Sequence, residues 1–329
     1  MKTPLFAAAN LIVFREMSEL TYESKLSPLA LFALTFIVAG LGFVLIGPII
    51  GFFLAIPFFE GSITDQLPKM ADPAGYPEFR LPLYIMQGAA TLIGLALLPS
   101  LFWFSIERKG ITSWFAGKKV YGLMLVTILV MTIAFMTTNT IFIDWNAHLH
   151  FPDSMRAFET WARTYEDRAE ELTKYLTQFS STREFLFAFF VIAVLPAIGE
   201  ELVFRGMLQT QLVGITKNIH VAIWTSAILF SAFHIQFFGF VPRMLLGALF
   251  GYLYYWSGNL LMPMFAHFVN NGFSVLMLYL NQLGLVDIDM ESTEAAPWPA
   301  VVVFTFIGIA LLFYFKQFFD RKRDLTNGH

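Results

Sequence analysis

The chain has 329 residues, 57% of them hydrophobic and 14% charged, with a formal charge of −3 and no cysteine. A soluble domain carries roughly 25% charged residues, so this composition describes an integral membrane protein. The near-neutral charge offers no footing for nucleic acid, and the lack of cysteine excludes thiol catalysis, disulfides, thiolate metal sites and prenylation of this chain.

In chain order, Met1 to Lys25 is mixed in polarity, holding Arg15, Glu16, Glu19 and Glu23, and predicts no separate targeting segment. Beyond it, uncharged runs of about 20 residues, enough to cross hydrocarbon as helix, recur along the chain. The expected fold is therefore all-α and polytopic, with about eight transmembrane helices: 26–59, kinked by Pro48 and Pro57; 81–106; 120–143; 185–214; 221–240; 243–256; 259–281; and 300–315. Ser181 and Glu184 have the spacing of a capping box at the start of the fourth run. Three regions follow: 1–184 with three spans and an outer-loop helix, 185–281 as the core, and 282–329 with the last span and a basic tail.

Placing both termini in the cytoplasm collects Lys2, Arg15, Lys25, Arg108, Lys109, Lys118, Lys119, Lys217, Lys316, Arg321, Lys322 and Arg323 on the inner side. The connection with Asp287, Asp289, Glu291 and Glu294 and no base then falls outside. The outer loop after the third run repeats apolar residues at Met155, Phe158, Ala162, Tyr165, Ala169, Leu172, Leu176 and Phe179, steps of three and four that predict an amphipathic helix on the bundle or in the headgroup layer. Glu60 to Arg80, rich in Pro, Gly and acid, predicts an irregular loop.

Between Phe185 and Gly214 the ionisable residues are Glu200, Glu201 and Arg205. A charge at mid-membrane costs at least ~2.5–3.5 kcal/mol, so such residues are expected to pair or to serve function. Glu201 and Arg205 lie one helical turn apart and form a structural pair, while Glu200 points about 100° away and is left for chemistry. Phe230-Ser231-Ala232-Phe233-His234 places one histidine in the fifth run, and His267 and Asn271 share a face of the seventh. A lone intramembrane histidine is commonly a packing residue, but Glu200, His234 and His267 on three different helices argue for one site. Pro196 and Gly199 can bend the fourth helix beside the acids. Asn270 reads as packing, and His148, His150, His220 and His329 lie in loops or tails. Counting along the helices from their inner ends places water access to this site on the cytoplasmic side.

These residues resemble the type II CAAX prenyl endopeptidase family, also called the Abi or CPBP family of intramembrane proteases. Its signatures EExxxR, FxxxH and HxxxN stand here as Glu200-Glu201-x3-Arg205, Phe230-x3-His234 and His267-x3-Asn271, in the family's order. The resemblance implies an endopeptidase in which Glu200 and His234 activate water, His267 and Asn271 hold the substrate carbonyl as neutral donors, and Glu201, Arg205 and Phe230 support the site. No cofactor is favoured; zinc on His234, His267 and Glu200 is the competing arrangement. The expected partners are a protein or peptide substrate, with or without a lipid modification, and the bilayer. A proton- or ion-coupled transporter, or a scaffold without activity, is the alternative class. HExxH is absent, no aspartate lies within a span, and Ser257-Gly258 falls in a predicted turn, so other intramembrane protease types fit less well.

Overall fold

A computed structural model describes residues 26–107, 115, 119–287 and 292–326, and among these every regular element is helical. Lys2, Arg15, Lys25, Arg108, Lys109 and Lys118, half of the basic residues behind the orientation, lie outside the described residues, as do Asp289, Glu291 and His329.

The long helices are α1 (Pro28–Phe58), α3 (Pro77–Ile106), α4 (Gly122–Ala147), α6 (Thr182–Thr216), α9 (Leu261–Gln282) and α10 (Trp298–Arg323). Each is long and apolar enough to cross a membrane, which makes the chain polytopic. Between them lie α2 (Ile63–Ala71), α5 (Arg156–Leu176), α7 (Ile219–Phe233) and α8 (Phe240–Ser257). The described residues thus give six candidate spans rather than eight. The expected fifth run stops at Phe233 because His234 caps the helix and Ile235 takes a left-handed φ of 56°. The expected sixth carries Arg243 in its first turn.

Local signals account for most helix ends. Ser27 accepts from the Ala30 N–H before Pro28, and Asn218 accepts from the N–H groups of His220 and Val221. Ser181 accepts from the Glu184 N–H as its spacing predicts. Gly258, at φ 59°, closes α8. The segment predicted to be an irregular loop contains α2 instead, opened by a capping box in which Asp65 returns to the Ser62 N–H at 2.7 Å.

Prolines shape the long helices in one consistent way. A π turn precedes Pro48 (Gly42–Ile46), Pro99 (Leu92–Leu97) and Pro196 (Phe190–Val194). Proline lacks the N–H of the regular ladder and crowds the carbonyl four residues back, and a wider turn relieves both. α1 and α3 then approach through small residues: a Cβ at Gly94 would stand 2.3 Å from the Phe43 nitrogen, and one at Gly47 2.6 Å from the Ala90 Cα.

α6 is the central helix, half buried along its apolar window against 11% for α10. It packs on α1, α3, α7 and α9, while α8 fits between α7 and α9 and α10 lies on α4. α5 crosses one end of the bundle. Its Glu166 accepts from the Phe238 N–H, its Arg163 guanidinium lies 4.1 Å from the Phe238 ring, and the Leu176 carbonyl accepts from Tyr84. Of its predicted apolar stripe Ala162, Leu176 and Phe179 are buried, whereas Met155, Tyr165 and Leu172 remain exposed.

Candidate functional site

The Glu200–Glu201 step of α6 directs two neighbouring carboxylates apart, as their 100° separation requires. Glu201 is fully buried and its Oε1 receives two donors: Arg205 Nη1 at 2.7 Å and His267 Nδ1 at 2.8 Å. The sequence identified the first contact. The second crosses from α9 and makes Glu201 the residue that orients His267.

Arg205 is also fully buried and donates through Nη2 to the Gly247 carbonyl of α8 at 2.9 Å. A Cβ at Gly247 would meet that guanidinium at 3.2 Å, so the missing side chain opens the route to the carbonyl. Phe230 covers one face of the cation at 4.5 Å and Phe250 lies 5.4 Å from it. Phe250 stacks on His267 with ring centroids 5.1 Å apart, and Phe230 meets the same ring edge-on at 5.9 Å. Pairing, hydrogen bonds and aromatic walls together compensate the desolvation of this ion pair.

Glu200 contrasts with its neighbour. Its Oε2 stands 3.9 Å from His267 Nε2, too far for a hydrogen bond, and has no partner. Its side chain keeps 15% exposure, where Glu201 and Arg205 keep none.

His234 is the C-cap of α7 rather than a mid-helix residue. Its Nδ1 lies 2.9 Å from the Phe230 carbonyl. A carbonyl only accepts, so Nδ1 carries the hydrogen and a neutral ring presents Nε2 as an acceptor. The rings of His234 and Phe230 are 5.1 Å apart, and Phe230 thereby links His234 to Arg205 and His267. His234 and Glu200 are not joined directly.

Asn271 lies one turn beyond His267 on α9. Its Nδ2 approaches the Ile192 carbonyl at 3.5 Å, a long contact, and its Oδ1 accepts from Asn270 Nδ2 at 3.0 Å. Ile192 is the residue whose carbonyl would accept from position 196 in a regular ladder, and Pro196 has no N–H to donate to it. The proline bend therefore turns a carbonyl toward Asn271, and Asn270, read from sequence as packing, fixes the direction of that amide.

Sequence reasoning also missed Arg243, treated there as a span boundary. It donates through Nη2 to Gln236 at 2.8 Å, and its buried Nη1 has no partner. Its signal was visible as a lone basic residue three positions after Phe240 in an otherwise apolar run. The other histidines are peripheral: His148 meets Asp144, His150 meets Glu159 and His220 meets Tyr252.

The competing zinc arrangement finds no support, since among the described residues no three His, Asp or Glu groups are placed to hold one ion. Toward Lys217, α6 is buried without interruption from Glu201 to Gly214; in the other direction Ile198 is exposed and α7 stops at Phe233, leaving the 234–239 loop beside α5.

Residues 182–273 match the family model of the Rce1-like type II CAAX prenyl endopeptidases, a segment that begins with α6 and ends just past Asn271. The chain is 35% identical over 82 residues to the uncharacterized protein YpbD of Bacillus subtilis (strain 168), a match covering 24% of this chain and 39% of that protein. No solved structure matches the chain.

Proposed function

We propose that this chain, whose residues 182–273 match the Rce1-like type II CAAX prenyl endopeptidase model, is an intramembrane endopeptidase using Glu200 and His234 to activate water. The observation that carries this is the division of labour between adjacent carboxylates. Glu201 is fully buried and holds Arg205 and His267 through its Oε1, with its Oε2 unpartnered, while Glu200 beside it faces the same histidine with an unpartnered Oε2 and keeps 15% of its side chain exposed.

Glu200 accepts one proton of a water whose other hydrogen is held by His234 Nε2, and the water oxygen attacks the substrate carbonyl carbon. The C–N bond then breaks as Glu200 returns its proton to the leaving nitrogen, giving a carboxylic acid and an amine, between which the second proton passes to leave carboxylate and ammonium. His267 Nε2 and Asn271 Nδ2 hold the developing oxyanion. With its Nδ1 hydrogen committed to Glu201, His267 donates from Nε2 as the imidazolium, not as the neutral donor expected from the sequence. Asn271 is free to turn to the oxyanion because its contact with Ile192 is long. Glu201, Arg205 and Phe230 act as supports, and no step runs through zinc.

α7 and α8 complete an eight-helix arrangement around the core at 185–281, with both termini cytoplasmic and α5 outside. A single cysteine replacing Gln236 in this cysteine-free chain is then labelled by an impermeant reagent from outside; labelling only from within reverses the orientation. Prenylated CAAX peptides and unmodified bacteriocin-like peptides are the two substrate classes to separate. The purified protein in lipid nanodiscs is expected to cleave members of a peptide library presented with and without farnesyl, and Glu200→Gln to cleave none. Equal cleavage by both proteins would end the proposal.

A further inference from the structure

α4 carries two amides on one face. Asn139 and Asn146 stand two helical turns apart, about 10 Å along the axis, and both are buried. Both reach the connection between α7 and α8: Asn139 Nδ2 donates to the Pro242 carbonyl at 3.1 Å, and Asn146 Nδ2 to the Phe237 carbonyl at 3.3 Å. Asn146 uses its second atom as well, its Oδ1 accepting from the Val241 N–H at 2.9 Å, whereas Oδ1 of Asn139 has no partner.

The second bond of Asn146 answers a need of α8. A helix begins with N–H groups that its own ladder cannot satisfy. Here the Phe240 N–H returns to the Phe237 carbonyl, Pro242 has none, and the Arg243 N–H closes on the Gly239 carbonyl. The Val241 N–H is left over, and Gly239, the N-cap, has no side chain to receive it. Asn146 supplies from another helix the cap that α8 lacks.

The capped turn is also the one that carries His234. α7 ends at this histidine, Ile235 takes its left-handed φ, and Ser231 Oγ in the last turn of α7 donates to the Phe240 carbonyl at 2.6 Å. Phe237, whose carbonyl receives both the Phe240 N–H and the Asn146 amide, lies three residues beyond His234. The ring itself donates to the Phe230 carbonyl of the same helix. The direction of its Nε2 therefore follows the end of α7, and the end of α7 follows the turn that Asn146 holds.

We propose that Asn146 is a positioning residue for His234: by capping α8 from α4 it fixes the turn on which the histidine is carried. This rests on the reading of Glu200 and His234 as the pair that activates water, and adds to the site a residue that lies outside the matched segment 182–273.

Two measurements on the full-length protein in lipid nanodiscs test it: steady-state cleavage of a peptide chosen from the library, and nitrogen NMR of the His234 ring, assigned by its loss in His234→Gln. The parent protein should show His234 as the single tautomer with hydrogen on Nδ1. Asn146→Ala should lower kcat by about 10- to 100-fold with KM little changed, the effect of a misplaced reacting group, and should bring in the second ring tautomer. Asn146→Asp keeps an acceptor for the Val241 N–H and should retain more of the rate, so it stands in if Asn146→Ala folds poorly. Asn139→Ala, which loses the contact to Pro242 alone, should match the parent in kcat and in the ring signal. A ring signal unchanged in both Asn146 variants, or the same change in Asn139→Ala, overturns the proposal. Cleavage by the parent protein with kcat and ring signal unaltered in Asn146→Ala removes the positioning role and leaves the protease. A second tautomer in Asn146→Ala, with no peptide cleaved by the parent, keeps the hold on His234 and removes the protease.

Discussion

Two Glu–Arg pairs at i, i+4 spacing occur in this chain with almost the same geometry. Glu159–Arg163 on α5 closes at 2.8 Å and Glu201–Arg205 on α6 at 2.7 Å. In the first, Arg163 is 37% exposed; in the second, neither side chain is exposed at all. On α5 the pair is one of several, beside Lys174–Glu170, and water can replace either partner. On α6 no water competes, and the carboxylate must be shared between Arg205 and His267. Identical spacing thus yields a surface tie in one place and the frame of a reactive site in the other, and the environment decides which.

The largest expected effects come from separating the two α6 glutamates. Glu200→Gln should reduce cleavage to background with unchanged thermal unfolding. Glu201→Gln should lower stability by ~3–5 kcal/mol, the cost of leaving a buried charge unpaired. Unfolding curves with activity on the same samples check both, and equal losses in both quantities for the two variants would erase the distinction. Glu159→Gln serves as the surface control, and a loss as large as that of Glu201→Gln would break the comparison.

Asn271→Ala tests the far side of the site. Removing one oxyanion donor should reduce kcat about 10²–10³-fold with little change in KM. A change confined to KM would make Asn271 a binding residue only.

A smaller effect is expected at Ile235, a β-branched residue at φ 56° that is 54% exposed. The left-handed conformation costs an L-residue roughly 1–2 kcal/mol, so Ile235→Gly should keep or raise the unfolding temperature. A clear decrease would show that its side chain contributes more than the backbone strain removes.

The smallest effect is a pH response confined to α5. The Phe151 N–H and then Arg163 hold the Glu159 carboxyl down to about 2 from its usual 4.5. A depressed folded-state value contributes stability above the unfolded value and loses it as pH falls, here from about 4.5 toward about 2. Trp161 fluorescence should change across that window in the parent protein and not in Glu159→Gln. The same transition in both would place its origin elsewhere.

Much of this was legible in the residues. Apolar runs located the long helices because crossing hydrocarbon demands length and hydrophobicity, both local properties. Ser181 and Glu184 marked the start of α6, and two of the motifs named Arg205 and His267, which the structure joins to Glu201. The misses have physical causes as well. α2 was hidden in a Pro- and Gly-rich segment whose Ser62–Asp65 cap outweighed the composition. α7 was drawn too long because hydropathy runs on through Ile235, Phe237 and Phe238 after the backbone has turned.

By itself the sequence determined the helical class, the membrane environment and the separation of Glu200 from Glu201, since all three follow from side-chain chemistry and a 3.6-residue period. Only the tertiary structure decided that Glu201 would orient a histidine 66 residues away, that Phe230 would wall both histidines, and that Arg243 would be left with an open N–H. Such outcomes depend on how α6 to α9 cross, and packing between distant segments leaves no periodic trace in the chain.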